Sequence, residues 1–342
     1  MDKAGPQVRG SILFLVRGGE TVPSCRFRAF QFRDPLRRAG VAAEYVILEK
    51  SRNPFKQLLF HLKLIPVVRR HHAVIFQKLL EPWRLAFLRL IHGNVYYDFD
   101  DAMYAAPDSA KFPATVRMAP RVIAGNAILA ERARRFNRNV LIVPTVVPIP
   151  DQLPKPPDPS REFVLSWIGT SANIPYLAPV LDALEALHDE APGYSLRILT
   201  ERPDLAPKRP WITALKWSRE AEEREFRDCD LGLMPLQDTE WCAGKCACKA
   251  LQYLSYGKPV ISSPVGVNRE LFSGADFGVL AETVEEWKRA ILGYRSNPDS
   301  VQKAGEAGHA FVRERYNLES WAGELADMVL NPDKRRGHER AL

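Results

Sequence analysis

Short apolar runs recur along this chain, each followed by a stretch of helical period, and few folds accommodate such an alternation. The runs at 11–16, 44–48, 73–77, 95–99, 121–124 and 140–143 are rich in β-branched and aromatic residues. Too short for helices, they read as buried strands. A helix is expected from about 25 to 38, and helical segments fill the other gaps. Strands separated by helices build a parallel sheet covered on both faces.

Between residues 148 and 159 the chain reads PIPDQLPKPPDP, too rich in proline for a helix or a central strand. The alternation then restarts, with strand-like runs at 163–168, 195–199, 213–217, 231–234 and 260–262, a helix ending near 188 and another starting near 220. Segments 284–294, 300–315 and 318–330 carry apolar residues three and four apart, as amphipathic helices do. At 342 residues the chain also exceeds a comfortable single core. The expected fold class is therefore α/β, with two doubly wound Rossmann-like domains at 1–150 and 151–330 and a polar tail at 331–342.

Charge is divided unevenly between these halves. Residues 1–150 hold 24 Lys+Arg against 11 Asp+Glu, and residues 151–342 hold 24 against 30, so the net charges are +13 and −6. The first half therefore suits an anionic partner, such as a membrane surface or a phosphorylated lipid. Its cations are scattered and form no recognition motif, so nucleic acid is not expected. No apolar run is long enough to span a bilayer and the N-terminus lacks a signal pattern, which implies a cytoplasmic protein, peripheral on a membrane at most. Cys242, Cys246 and Cys248 match no zinc or iron–sulfur spacing; they are expected as reduced thiols packed around a loop.

The segment 242–268, CAGKCACKALQYLSYGKPVISSPVGVN, carries the most chemistry. A loop with Lys245 enters a helix bearing Lys249 and Gln252, which Gly257 should cap before a short buried strand. Two lysines beside the free amides of a helix start make a phosphate-binding corner. In the first half, the block Tyr96-Tyr97-Asp98-Phe99-Asp100-Asp101 puts three acids at a strand end, where open α/β sheets build their sites. These acids are read as site carboxylates or as caps of a following helix. Gly18 and Gly19 after the first strand, with Arg26 and Arg28 nearby, either approach a phosphate or form a simple turn. Phe55, Leu58, Leu59 and Leu62 share one helical face among Lys56, Lys63, Arg69 and Arg70. That face either lies on an anionic bilayer or covers the chain's own sheet.

LQYLSYGKPVISSPVGVN resembles the donor-site helix and following strand of glycosyltransferase family 4. Trp167-Ile168-Gly169-Thr170, Asp230-Leu231-Gly232-Leu233-Met234-Pro235 and Arg315-Tyr316-Asn317-Leu318-Glu319-Ser320-Trp321 extend the resemblance over roughly 11–330. It implies a GT-B enzyme whose two domains face each other across a cleft, the first holding an acceptor and the second a nucleotide sugar, by default a UDP-sugar. It further implies retaining transfer to a hydroxyl of a glycan, glycolipid or small molecule in cell-surface polysaccharide or glycolipid synthesis. No cofactor or metal is implied, since cationic side chains and a helix end neutralise the leaving diphosphate. Asp100 or Asp101 falls where the family faces its acceptor, to orient or deprotonate the hydroxyl.

Two departures stand out. Many members place two glutamates with seven residues between them across the donor helix, and here Gly244 and Gln252 occupy those positions. An arginine and lysine usual after the first strand of the second domain are replaced by Thr170-Ser171-Ala172-Asn173. Lys245 and Lys249 compensate if they meet the diphosphate while Gly169 and Thr170 offer amides. Otherwise Lys249 is solvated surface and the protein is catalytically silent, binding a nucleotide or a partner subunit. Thr200 and Trp217 are the candidates at the nucleobase, Trp217 by stacking or else as a rim residue.

Overall fold

The computed structural model describes residues 9–48, 53–154, 161–190 and 193–332, so parts of the proline-rich segment and most of the expected tail lie outside the described residues. The chain forms two compact units: Met1–Val146 with Gly244–Cys246 and Leu318–Leu342, and Val147–Ala243 with Ala247–Asn317. In the first, strands β1 (Gly10–Val16), β2 (Val41–Ile47), β3 (Ala73–Gln77), β4 (Val95–Phe99), β5 (Arg121–Ala124) and β6 (Val140–Ile142) form a sheet of order β2-β1-β3-β4-β5-β6. Every pairing is parallel. From β1 the chain moves outward to β2 and then back past β1 to β3, so the order reverses between β1 and β3. Ligands of such sheets sit at that reversal, beyond the carboxyl ends of the strands.

Helices α1 (Pro23–Arg28), α2 (Arg33–Arg38), α3 (Pro54–Arg69), α4 (Pro82–Ile91), α5 (Phe112–Met118) and α6 (Ala127–Arg134) connect these strands. The single helix expected over 25–38 is instead α1, a 3-10 turn at Phe30–Phe32, and α2. Pro35 explains the break, because it has no amide to give to residue 31 and is tolerated only in the first turn of a new helix. Asn53 starts α3 by accepting bonds from the amides of Phe55 and Lys56.

In the second unit, strands β7 (Phe163–Ile168), β8 (Tyr194–Thr200), β9 (Ile212–Lys216), β10 (Leu231–Met234), β11 (Val260–Ser262) and β12 (Gly278–Leu280) form a second parallel sheet of order β12-β11-β10-β7-β8-β9. Here the reversal falls between β7 and β10. Helices α7 (Ala178–Glu190), α8 (Arg219–Asp228), α9 (Glu240–Ala243), α10 (Cys248–Ser255), α11 (Val267–Phe272), α12 (Val284–Arg295) and α13 (Pro298–Arg315) accompany it. The sequence reading omits β12, whose three residues begin with a glycine that local pattern counts against a strand. Gly278 is needed there: a Cβ would lie 2.7 Å from the Val260 carbonyl oxygen. Helix α10 ends as expected on Gly257, at φ +68°, with Gly257 donating to Leu254 O and Lys258 to Tyr253 O.

The last helix, α14 (Leu318–Leu330), departs from the 151–330 assignment. Its apolar stripe Leu318, Ala322, Leu325, Ala326 and Val329 joins the core of the first unit with Ile12, Phe14 and Val143. Arg38 holds Glu319 through two bonds of 3.1 and 2.5 Å, and Arg9 reaches Asp327 at 2.7 Å. Periodicity shows that α14 must bury a stripe; it does not show which sheet the stripe covers.

Candidate active site

In the first unit Gly18, Gly19, Lys78, Asp100 and Asp101 all follow the carboxyl ends of β1, β3 and β4. Neither glycine adopts a left-handed conformation. A Cβ at Gly18 would meet Val22 Cγ2 at 2.7 Å, which accounts for that glycine as a tight turn, whereas one at Gly19 would meet nothing within 4 Å. Arg26 is buried with its guanidinium 4.3 Å from the centre of the Phe27 ring.

Arg28 does not reach out towards a phosphate. It is buried against Asp98, bonding both carboxylate oxygens, and donates to Val143 O at 2.7 Å and Pro144 O at 3.0 Å. Burial works against its charge, but Asp98 more than offsets this and holds the guanidinium firmly protonated. One of the three expected acids is thus spent inside the fold, fastening β4 to the chain after β6.

Lys78 takes the other two. Its Nζ lies 2.9 Å from Asp100 Oδ1 and also bonds Asp101 Oδ2, with all three side chains largely buried. Lys78 adopts φ +59°, and with Ala247 at +51° it is one of two non-glycine residues in the left-handed region among the described residues. Such a conformation costs about 1–3 kcal/mol and persists where surrounding bonds over-determine it. Here the Lys78 amide donates to Asp98 O at 2.8 Å while the preceding Gln77 Nε2 donates to Ser24 O at 2.7 Å.

Burial alone would raise the pKa of Asp100, but the Lys78 ammonium and then the Arg28 guanidinium hold it below the ordinary carboxylate range. Asp100 is therefore a fixed anion near neutral pH, suited to accept hydrogen bonds and poorly suited to take up a proton. Neither aspartate caps a helix: the turn at Met103–Ala105 starts from Ala102 without a side-chain bond. Sequence reasoning missed Lys78, although a lysine placed directly after a fully buried strand at the sheet's reversal was the available signal.

Gly244 and Lys245 belong to this same unit, where Asn126, the N-cap of α6, donates to Gly244 O at 3.2 Å. A Cβ on Gly244 would lie 2.7 Å from Ala102 Cβ and 2.9 Å from Ala102 N. The glutamate that relatives are expected to carry here has no room. Cys246 donates to Asp100 O at 3.2 Å, and burial pushes its thiol well above the ordinary range, as expected of a packing cysteine.

The second unit gathers Gly169, Thr170, Thr200, Trp217, Lys249 and Gln252. Gly169 is not free to offer its amide, which donates to Leu199 O at 3.2 Å, and a Cβ there would lie 2.4 Å from the Trp167 ring. Gly169→Ala is accordingly expected to destabilise the protein by about 1–3 kcal/mol, measured by urea unfolding. Thr170 accepts from Asn173 Nδ2 at 3.2 Å. Glu201 closes the loop by accepting from the Ser171 hydroxyl at 2.6 Å, the Ser171 amide at 3.0 Å and the buried Thr200 hydroxyl at 3.0 Å. Thr200 therefore braces this loop. Trp217 is half-buried at the rim of the core that contains Leu199 and Phe226.

Lys249 is not a solvated side chain. Its Nζ lies 2.7 Å from Glu222 Oε1 on α8, 2.9 Å from Gln252 Oε1, and above the Phe226 ring. Gln252 is buried, and Cys248 Sγ approaches its Oε1 at 3.8 Å. Glu222, absent from the sequence analysis, thus supplies a carboxylate beside α10 from a different element. The start of α10 has left-handed Ala247 as its N-cap, a residue that makes no side-chain cap bond. An N-terminus in that state attracts an anion. Lys245 and Lys249 fall in different compact units.

Residues 182–327 match a family model described as glycosyl transferase-like. No curated protein matches the chain in sequence. Among solved structures, HepE of Anabaena in complex with UDP and glucose superposes with a TM-score of 0.72 at 13% identity, over 94% of this chain and 100% of that one. Sucrose-phosphate synthase of Thermosynechococcus elongatus gives 0.65 at 14%, over 94% and 98%. WaaG, a glycosyltransferase involved in lipopolysaccharide biosynthesis, gives 0.65 at 12%, over 94% and 100%. With its two parallel six-stranded sheets, the chain has the GT-B fold of glycosyltransferases, and its residues 182–327 are similar to the glycosyl transferase-like family model.

Proposed function

We propose that this protein transfers a sugar from a nucleoside diphosphate sugar, by default a UDP-sugar, to a hydroxyl of a glycan, glycolipid or small-molecule acceptor. The observation that carries this reading is the start of α10, a helix N-terminus whose N-cap Ala247 makes no side-chain bond, beside Lys249, which Glu222 and Gln252 hold in place. Related folds hold UDP, UDP-glucose, or UDP with a glycosylated glycerol, which supports a nucleotide sugar as donor. In the reaction the acceptor oxygen bonds the anomeric carbon as the bond to the diphosphate breaks, negative charge grows on the leaving phosphate, and the hydroxyl proton passes to that departing phosphate. Lys249, with Lys245, is assigned to that charge. Asp100 and Asp101 are assigned to the acceptor, as fixed hydrogen-bond acceptors that orient its hydroxyls. Family 4 membership, retention of configuration, a place in cell-surface polysaccharide or glycolipid synthesis and a cytoplasmic site of action belong to the same proposal.

A silent protein that binds nucleotide without turnover is the second reading, favoured by the steric exclusion of a side chain at Gly244 and the pairing of Lys249 with Glu222. Incubation with a panel of nucleotide sugars, with and without acceptors, separates the two. Release of UDP from any donor supports transfer, whereas UDP binding without release from every donor supports the silent form.

Activity is expected to persist in excess EDTA. The Lys78 ammonium already sits between Asp100 and Asp101, where a divalent ion bound by that pair would have to lie. Loss of turnover that Mg²⁺ or Mn²⁺ restores would overturn this.

A further inference from the structure

Helix α3 has two apolar faces, and only one of them covers the sheet. His61, Leu64 and Val68 point inward, and His61 packs edge-on against Phe87 of α4. On the opposite face Phe55, Leu58, Leu59 and Leu62 are 44–71% exposed. These four recur at three- and four-residue spacing over two turns, so they form one continuous stripe. Leu90 of neighbouring α4 is 84% exposed and Trp83 49%. A stripe of this kind on a water-facing helix is unfavourable unless something covers it.

We propose that the exposed face of α3 docks on the surface of an anionic lipid bilayer. The charges beside it select that occupant. Lys56, Lys63, Arg69 and Arg89 are exposed, and among the described residues none of them forms an ion pair. Glu81 is the sole acid between Pro54 and Ile91, and it pairs with Arg84 at 3.1 Å. An apolar stripe bordered by unneutralised cations is the pattern of a helix lying in the headgroup region, its leucines and aromatic ring among the acyl chains and its lysines at the phosphates. A symmetric dimer through this face would set the same cations against one another, which disfavours a second copy as the occupant. No described helix is long and apolar enough to cross a membrane, so the attachment proposed is to one surface.

The test is sedimentation of the full chain with phosphatidylcholine vesicles, either plain or containing roughly a third phosphatidylglycerol. The chain is expected to pellet with the anionic vesicles and to stay largely in solution with plain ones. Leu58→Glu/Leu62→Glu and Lys56→Glu/Lys63→Glu should each lower the partition coefficient about tenfold or more. Both pairs are exposed and none of the four is assigned to donor or acceptor, so unchanged thermal unfolding and unchanged UDP binding serve as controls. Failure to bind anionic vesicles would overturn the proposal. Equal binding by the parent and both variants would overturn it too, by moving the contact elsewhere. A concentration-dependent dimer that the same leucine changes abolish, without vesicle binding, would assign the face to a second copy. UDP binding and donor turnover need no vesicle, so failure of the transfer reading is measured separately.

Discussion

Lys78→Met is expected to lower stability by about 3–5 kcal/mol at neutral pH, the cost of removing one partner from a buried ion pair. The change leaves Asp100 and Asp101 as neighbouring, mostly buried carboxylates without their cation. The pH dependence has a definite sign. In the parent protein Asp100 has its pKa lowered, so its contribution is present above the unfolded carboxylate pKa of about 3.9 and is lost as pH falls through the folded value. In the variant the Lys78 ammonium, the larger of the two charges that oppose burial at Asp100, is gone and only Arg28 remains, so ionised Asp100 supports folding less than in the parent. The deficit against the parent should therefore widen as pH rises from about 4 to 7. Urea unfolding across that range measures it; a deficit independent of pH would mean that Lys78 acts only through packing.

Activity separates the structural from the positioning role. Adding Asp100→Asn and Asp101→Asn to Lys78→Met removes the unpaired charges and should recover much of the stability. Turnover should stay down by about 100-fold or more, because the preorganised anions that orient the acceptor are gone. Asp100→Asn alone should lower turnover far more than donor affinity. If the triple variant turned over like the parent, the cluster would be a fold-stabilising network and the acceptor would bind elsewhere.

Lys249→Met is expected to weaken UDP binding by about 1.5–3 kcal/mol, the scale of a charge-assisted hydrogen bond, and to leave uridine binding nearly unchanged. Transfer should fall further than binding, since charge on the leaving phosphate grows towards the transition state. Lys245→Met is expected to behave alike. Glu222→Gln works in the opposite direction: it removes the carboxylate 2.7 Å from Lys249 and leaves that cation for the diphosphate, so UDP should bind at least as tightly. Isothermal titration with UDP and uridine, beside initial rates, reads these quantities. Unchanged UDP affinity in both folded lysine variants would show that the donor phosphates lie elsewhere.

Elements with strong local signals were readable in advance. Ala73–Gln77, Val95–Phe99, Arg121–Ala124, Phe163–Ile168, Leu231–Met234, Val260–Ser262 and Leu318–Leu330 coincide with the expected runs, because burial on both faces or one amphipathic stripe leaves a periodic trace. Pro35 and Gly278 mark the failures, where a proline within the apolar pattern and a glycine at a strand start carry meaning that periodicity does not record. Of the charged clusters at Asp100 and Lys249, one partner of each was readable and the other was not. Position after a strand pointed to Asp100 and Asp101, yet their partner Lys78 stands 23 residues before Asp101, Arg28 stands 70 before Asp98, and Glu222 stands 27 before Lys249.

The sequence by itself determined where most strands and the C-terminal helices fall, that both sheets are parallel and doubly wound, and that Gly257 ends the helix bearing Lys249. These follow from interactions among residues a few positions apart. Tertiary structure alone decided that α14 completes the first unit, that Lys78 pairs with Asp100 and Asp101 and Glu222 with Lys249, that Gly244 has no space for a side chain, and that the stripe of α3 led by Phe55 faces water. Each of these depends on which distant surface a local element meets. Side-chain pattern states that a face must be buried or a charge paired, and only the packed fold supplies the partner.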